Sequence, residues 1–155
     1  VANDAHARFD AVSRSYEYHI NTFKNSFLKN LSYYQFKNLD VDKMNEAAKI
    51  LLQYEDFECF SKTHTDVFTF NCNITTAYWE QNGSQLIFHI SANRFLRNMV
   101  RAIVGTMLNV GMGKISVNDV HEIIKSKNRG KAGFSVPAHG LYLTQVVYPY
   151  INETK

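Results

Sequence analysis

Ile74-Thr75-Thr76-Ala77-Tyr78-Trp79-Glu80-Gln81-Asn82-Gly83-Ser84-Gln85-Leu86-Ile87-Phe88-His89-Ile90-Ser91 reads as two strands joined by a tight turn. β-Branched and aromatic residues fill both arms. Asn82-Gly83 supplies the pair that a type I′ turn needs, with positive φ at both central positions. That turn sets Trp79 opposite Leu86 and Ala77 opposite Phe88. Thr75, Ala77 and Trp79 then share a face with Leu86, Phe88 and Ile90.

Helices follow the hairpin. Across 93–110, Phe95, Leu96, Met99, Val100, Ile103, Val104, Met107 and Leu108 recur in pairs at four-residue steps, the pattern of a helix with one apolar face. Arg94, Arg97 and Arg101 fall at i, i+3 and i+7 and form a single stripe beside it. Gly111 and Gly113 end the helix. Ser116 with Asp119 makes a capping-box variant for a short helix through Lys127. Residues 129–133 read as flexible, and 140–148 as a last strand stopped by Pro149.

Upstream, 8–20 read as a strand in which Arg14, Tyr16, Tyr18 and Ile20 share a face. Residues 21–38 read as a long connection. Asp40 or Asp42 caps a helix to about Tyr54, with Met44, Ala47, Ala48, Leu51 and Leu52 on its apolar face. Residues 54–66 read as a loop with one turn of helix. The order is strand, helix, hairpin, helix, helix, strand. It predicts an α+β fold, with helices on one face of a mostly antiparallel sheet.

The 155 residues suit one domain, 1–155, and 45% hydrophobic residues suffice for a core. Two cysteines, Cys59 and Cys72, cannot form a disulfide framework or a four-cysteine zinc site and read as core residues. No apolar run approaches the ~18 residues of a membrane span, and no signal-peptide pattern appears. These features predict a reduced, cytoplasmic, soluble protein. The net charge is +3, but it is unevenly placed. Residues 94–131 carry eight Lys and Arg against Asp119 and Glu122, a net of +6 that leaves −3 for the remainder. A solvated helical surface explains this, and so does an RNA-binding surface, since aromatics are abundant at 14%.

Several chemistries find no support. The sequence has no GxGxxG, P-loop lysine, G-x-S-x-G or H-E-x-x-H. Its histidines, at 6, 19, 64, 89, 121 and 139, show no helical metal-ligand spacing, so no metal is expected. His64-Thr65-Asp66 admits acid–base work in a hydrolase, but a polar loop explains it as well.

Three segments are specific together. They are His6-Ala7-Arg8-Phe9-Asp10-Ala11 with Arg14-Ser15-Tyr16-Glu17-Tyr18; Ala92-Asn93-Arg94-Phe95-Leu96-Arg97-Asn98-Met99-Val100-Arg101 with Ile103-Val104-Gly105; and Pro137-Ala138-His139-Gly140-Leu141-Tyr142-Leu143 with Val147-Tyr148-Pro149. In this order they resemble the C-terminal part of the tRNA pseudouridine synthase A (TruA) family, as does Asp56-Phe57-x-x-Phe60. The resemblance implies an isomerase that converts uridine to pseudouridine at positions 38–40 of the tRNA anticodon stem-loop. It implies no metal or organic cofactor, and a homodimer whose clefts hold tRNA.

Residue by residue, Tyr16 matches the family's active-site tyrosine, which stacks on the uracil. An ordinary strand tyrosine is the plain alternative. Arg101 matches the arginine set against the family's catalytic aspartate, with Gly105 leaving room for that approach. The alternative is a helix-edge arginine reaching solvent. Leu141 and Tyr142 match residues lining the uracil pocket, although Leu141 also suits a plain core position. His6, Arg8, Phe9, Arg14, Lys62, His64, Arg94 and Arg97 are the expected RNA contacts.

One departure matters. The family's aspartate sits in Arg-Thr-Asp-Ala-Gly-Val-His, and no such stretch occurs here. Thr65-Asp66 is followed by Val67, so the role is not transferred to it. In the family the motif precedes the segment at which this chain begins, and the first residue is Val1 instead of Met. The expectation is a C-terminal half, inactive alone, whose partner is the N-terminal half of the same parent chain. A stand-alone RNA-binding or assembly module is the competing reading. It explains the charge and the aromatics but not the grouped motifs.

Overall fold

A computed structural model describes residues 13–23, 31–35, 38–62 and 67–148. Five strands form one sheet: β1 (Ser13–Asn21), β2 (Tyr33–Tyr34), β3 (Ile74–Asn82), β4 (Gln85–Ala92) and β5 (Leu141–Val147). Among the described residues three α-helices accompany them: α1 (Val41–Leu51), α2 (Met99–Gly111) and α3 (Val117–Ser126). β3 pairs with β4 and β4 with β1, both antiparallel. β1 also takes β5 antiparallel and the short β2 parallel. The fold is the expected α+β, with a mixed sheet that is mostly antiparallel.

Alternation along the strands decides which face the helices cover. Tyr18, Ile20, Ala77, Trp79, Leu86, Phe88 and Ile90 are buried in one cluster with Met44, Ala48 and Leu51 of α1 and Ile103, Val104 and Met107 of α2. The larger aliphatic side chains and Phe88 each contribute about 1.5–3 kcal/mol on leaving water. The opposite face is polar. There His89 bonds Glu80 at 2.8 Å, and His19 bonds Glu17 at 2.9 Å.

The hairpin differs from expectation in register but not in face. Asn82 pairs with Gln85, so the two-residue turn is Gly83-Ser84. Gly83 has φ +64, and neither Asn82 nor Ser84 is positive. Glycine first with one positive φ is the II′ pattern instead of I′. Trp79 therefore faces Phe88 and Ala77 faces Ile90, a slip of two residues. An even slip preserves the buried face. Thr75 is the exception. It is the extra residue of an irregularity between Ile74 and Thr76 and is exposed, while Ile74 is buried in its place.

The second helix begins later than its periodicity suggests. It starts at Met99, because Asn98 adopts a left-handed conformation, φ 69, ψ 7, which no α-helix continues through. Arg94 and Arg97 therefore precede the helix, and the three arginines form no common stripe. α1 begins at its cap Asp40, whose side chain accepts from the Lys43 N–H. It ends at Leu51, leaving Leu52 46% exposed, while Ile50 is buried. The Ser116–Asp119 capping box is present in both directions.

The segment expected to be flexible is held. Arg129–Lys131 is a 3-10 turn, and Arg129 bonds the Gly133 carbonyl at 2.9 Å and the Ser135 hydroxyl at 2.8 Å. The connection 21–38 contains β2, whose two residues carry too little periodicity to be read. A short 3-10 turn, Glu58–Phe60, supplies the expected helical turn. Cys59 and Cys72 are buried free thiols. Pro149 lies outside the described residues. No helix among the described residues is long and apolar enough to cross a membrane.

Candidate active site

Tyr16 stands at the edge of the core on the buried face of β1, two residues before Tyr18. Its pairing with β5 is irregular there: Ser15 faces Gln145 but Tyr16 faces Leu143. The spare residue, Thr144, bonds the Ser15 carbonyl through its hydroxyl at 3.2 Å. A bulge of this kind bends the strand and re-aims a side chain. The Tyr16 ring meets Phe95 edge to face, with centroids 5.1 Å apart and planes at 90°. The pair remains only half-buried.

Around it lies a cleft of about 340 Å3. Tyr16, Phe95 and Leu141 give it apolar surface, and Lys62, Arg97 and Arg101 give it charge. Three cations and no carboxylate line it among the described residues, so it suits an anionic ligand.

Arg101 is fixed by the chain that passes over α2. Its Nε donates to the Val136 carbonyl at 2.7 Å, and the Val136 N–H returns to the Arg101 carbonyl at 3.2 Å. Next to this ladder, the Gly133 N–H bonds the Thr106 hydroxyl at 2.8 Å, and the Tyr18 hydroxyl donates to the Pro137 carbonyl at 2.6 Å. Burial pushes the Tyr18 phenol well above its ordinary range. Tyr33 adds to that shift and Arg101 opposes it.

The glycines of α2 and the passing segment explain how the two backbones approach. A Cβ on Gly105 would meet the Phe134 carbonyl oxygen at 1.6 Å, and one on Gly133 would meet the Gly105 carbon at 2.8 Å. Gly105 thus makes room for residues 133–136 themselves. Among the described residues no carboxylate lies within ion-pair distance of Arg101, and its terminal nitrogens make no hydrogen bond to protein.

The structure brings Tyr16, Lys62, Arg97, Arg101 and Leu141 to one cleft. It separates Tyr142 from them, because successive strand residues point to opposite faces. Tyr142 lies on the polar face, edge to face with His19 at 4.9 Å, and its hydroxyl donates to the Leu31 carbonyl. Arg94 turns to the neighbouring loop, where its Nη1 bonds the carbonyls of Thr69 and Asn71, each at 3.0 Å. Arg14 sits on β1 opposite Ala92 and does not line the cleft. His6, Arg8, Phe9 and His64 lie outside the described residues.

Phe95 and Asn98 are among the cleft residues that the sequence does not single out. Phe95 reads as one more apolar helix position, yet it precedes the helix and backs Tyr16. Asn98 also lines the cleft, and its residue type was the available signal, since asparagine tolerates the left-handed region.

The family model described as tRNA pseudouridine synthase matches residues 47–149. A Porphyromonas gingivalis protein named tRNA pseudouridine synthase A is 55% identical over 152 residues, covering 96% of this chain and 60% of that protein. Proteins of the same name from Parabacteroides distasonis and Bacillus licheniformis are 52% and 38% identical, each over 96% of this chain and over 59% and 61% of their own lengths. The chain thus spans about 60% of the length of these curated relatives.

Proposed function

The chain belongs to the tRNA pseudouridine synthase family, and from that premise we propose that its cleft is one wall of a uridine-isomerising site. The observation carrying this reading is the convergence of Tyr16, Arg101 and Leu141 on a single basic cleft. Isomerisation breaks the bond between uracil N1 and ribose C1′, turns the ring and joins C5 to C1′. The C5 proton is lost and N1 gains one, so the atoms balance.

A uridine drawn out of its stack loses contacts that a flat partner restores. Tyr16, held upright by Phe95, is that partner, and we assign its phenol to moving the C5 proton. Leu141 forms the apolar side of the base pocket, and Tyr142 supports β5 from the other face. Arg101, held by its Nε, presents both terminal nitrogens to a carboxylate, which keeps that acid ionised and oriented. The nucleophilic aspartate on this reading comes from another part of the complete protein.

Lys62, Arg97 and Arg14 take RNA phosphates, whereas Arg94 shapes the loop at Thr69–Asn71. His6, Arg8, Phe9 and His64 complete the RNA contacts. The substrate is the tRNA anticodon stem-loop. The complete protein acts in the cytoplasm as a homodimer, and residues 1–155 form its C-terminal half as one domain.

The test is tritium release from tRNA labelled at uridine C5. The complete protein is expected to release it, and the isolated 155-residue chain is not. A complete protein that releases none overturns the reading.

A further inference from the structure

Asn98 is a break in the chain with a built environment. It carries one of two positive φ values among the described non-glycine residues. A side chain in that conformation costs free energy, and such strain persists where the surroundings hold it. Here the surroundings do so. Asn98 Nδ2 donates to the Ser135 hydroxyl at 2.5 Å, and Arg129 Nη2 donates to the same oxygen at 2.8 Å. Arg129 also bonds the Gly133 carbonyl, so one guanidinium and one amide lock residues 133–135 over the start of α2.

The break has a consequence for the cleft. Had the helix run from Asn93, as its periodicity suggests, Arg97 would stand in one stripe with Arg101, and Phe95, two residues before Arg97, would point to a different side. The left-handed residue instead lets the chain before α2 turn across the helix end. Phe95 can then back Tyr16 while Arg97 and Arg101 line the same cleft from a loop and a helix. The Lys62 N–H bonds the Arg97 carbonyl at 3.0 Å, which ties this same turn to the loop that supplies the third cation.

We propose that Asn98 is a positioning residue for the uridine site: its left-handed backbone and its bond to Ser135 set Phe95 and Arg97 against Arg101. This rests on the isomerase reading given above. Asn98 acts through its neighbours, so its loss should lower turnover more than tRNA binding. A displacement of about 1 Å at a reacting centre costs about a hundredfold in rate.

The experiment uses the complete enzyme with Asn98→Ala, Asn98→Gly and Ser135→Ala, measuring kcat, KM for tRNA and thermal unfolding. Asn98→Ala is expected to lower kcat by about a hundredfold with KM within about threefold. Asn98→Gly, which adopts the left-handed region freely, is expected to recover most of that loss. Ser135→Ala, which leaves the Asn98 backbone untouched, is expected to lower kcat by about tenfold while the protein remains folded at the assay temperature. An active wild type whose folded variants all match it overturns the positioning role alone. So does a loss in Asn98→Gly as large as that in Asn98→Ala, together with an unaltered Ser135→Ala. A wild type that makes no pseudouridine overturns the isomerase reading and this inference with it.

Discussion

Arg101 and Val136 hold each other by a reciprocal pair of hydrogen bonds, Nε to carbonyl at 2.7 Å and N–H to carbonyl at 3.2 Å. The side-chain bond uses the one nitrogen of the guanidinium that lies within its stem. The two outer nitrogens keep their geometry for a ligand. A lysine carries equal charge but has neither the inner donor nor the fork.

Arg101→Lys in the complete enzyme is therefore expected to lower kcat by about a hundredfold, with the Kd for tRNA within about threefold. Steady-state kinetics beside a filter-binding titration check this. A phosphate contact needing charge alone would leave kcat unchanged.

Gly105→Ala places a methyl group where the Phe134 carbonyl stands. The obstacle is backbone on both sides, so no rotamer relieves it. The expected loss is about 3 kcal/mol of stability. Urea unfolding of the isolated chain measures it.

Asn45 on α1 closes the outer edge of β3. Its Oδ1 accepts from the Trp79 N–H at 2.7 Å, and its Nδ2 donates to the Trp79 carbonyl at 3.3 Å, as a neighbouring strand would. Asn45→Ala leaves both backbone groups without these partners and is expected to cost about 1–3 kcal/mol, measured by the same unfolding experiment.

Burial pushes the Cys59 thiol up to about 12 and the Cys72 thiol up to about 11, from an ordinary 9.0. The folded chain then holds protons that the unfolded chain releases above pH 9. Stability is accordingly full below that value and falls as pH rises toward 11 and 12. The urea midpoint should drop between pH 8 and pH 10, and Cys59→Ala with Cys72→Ala should flatten that drop.

Periodicity made the fold legible because it reports burial, and burial is what the sheet and helices share. The hairpin shows how far this goes. Trp79, Ala77, Phe88 and Ile90 reveal their common face, but the choice between Asn82-Gly83 and Gly83-Ser84 moves the register by two without changing that face. Alternation is blind to even slips. Leu52 and Ile50 show the opposite failure. Both are apolar near the end of α1, and only the helix terminus decides which is buried.

The site was legible through motif likeness more than through physics. Tyr16 and Arg101 carry no chemical signature by themselves. What joins them is the bulge at Thr144, the break at Asn98 and the Gly105–Gly133 approach, all long-range features. Neighbours in sequence also mislead here: Leu141 lines the cleft, and Tyr142, next to it, points to the other face.

The most direct measurement is tritium release from C5-labelled tRNA by the complete enzyme carrying Tyr16→Phe or Tyr16→Ala. Tyr16→Phe keeps the ring against Phe95 and loses the phenol, while Tyr16→Ala loses both. Tyr16→Ala is expected to lower release by about a hundredfold with tRNA affinity within about threefold. Tyr16→Phe separates the stacking share from the proton-transfer share. Release from Tyr16→Ala at the wild-type rate would contradict the account, because the cleft would then not be where uridine reacts.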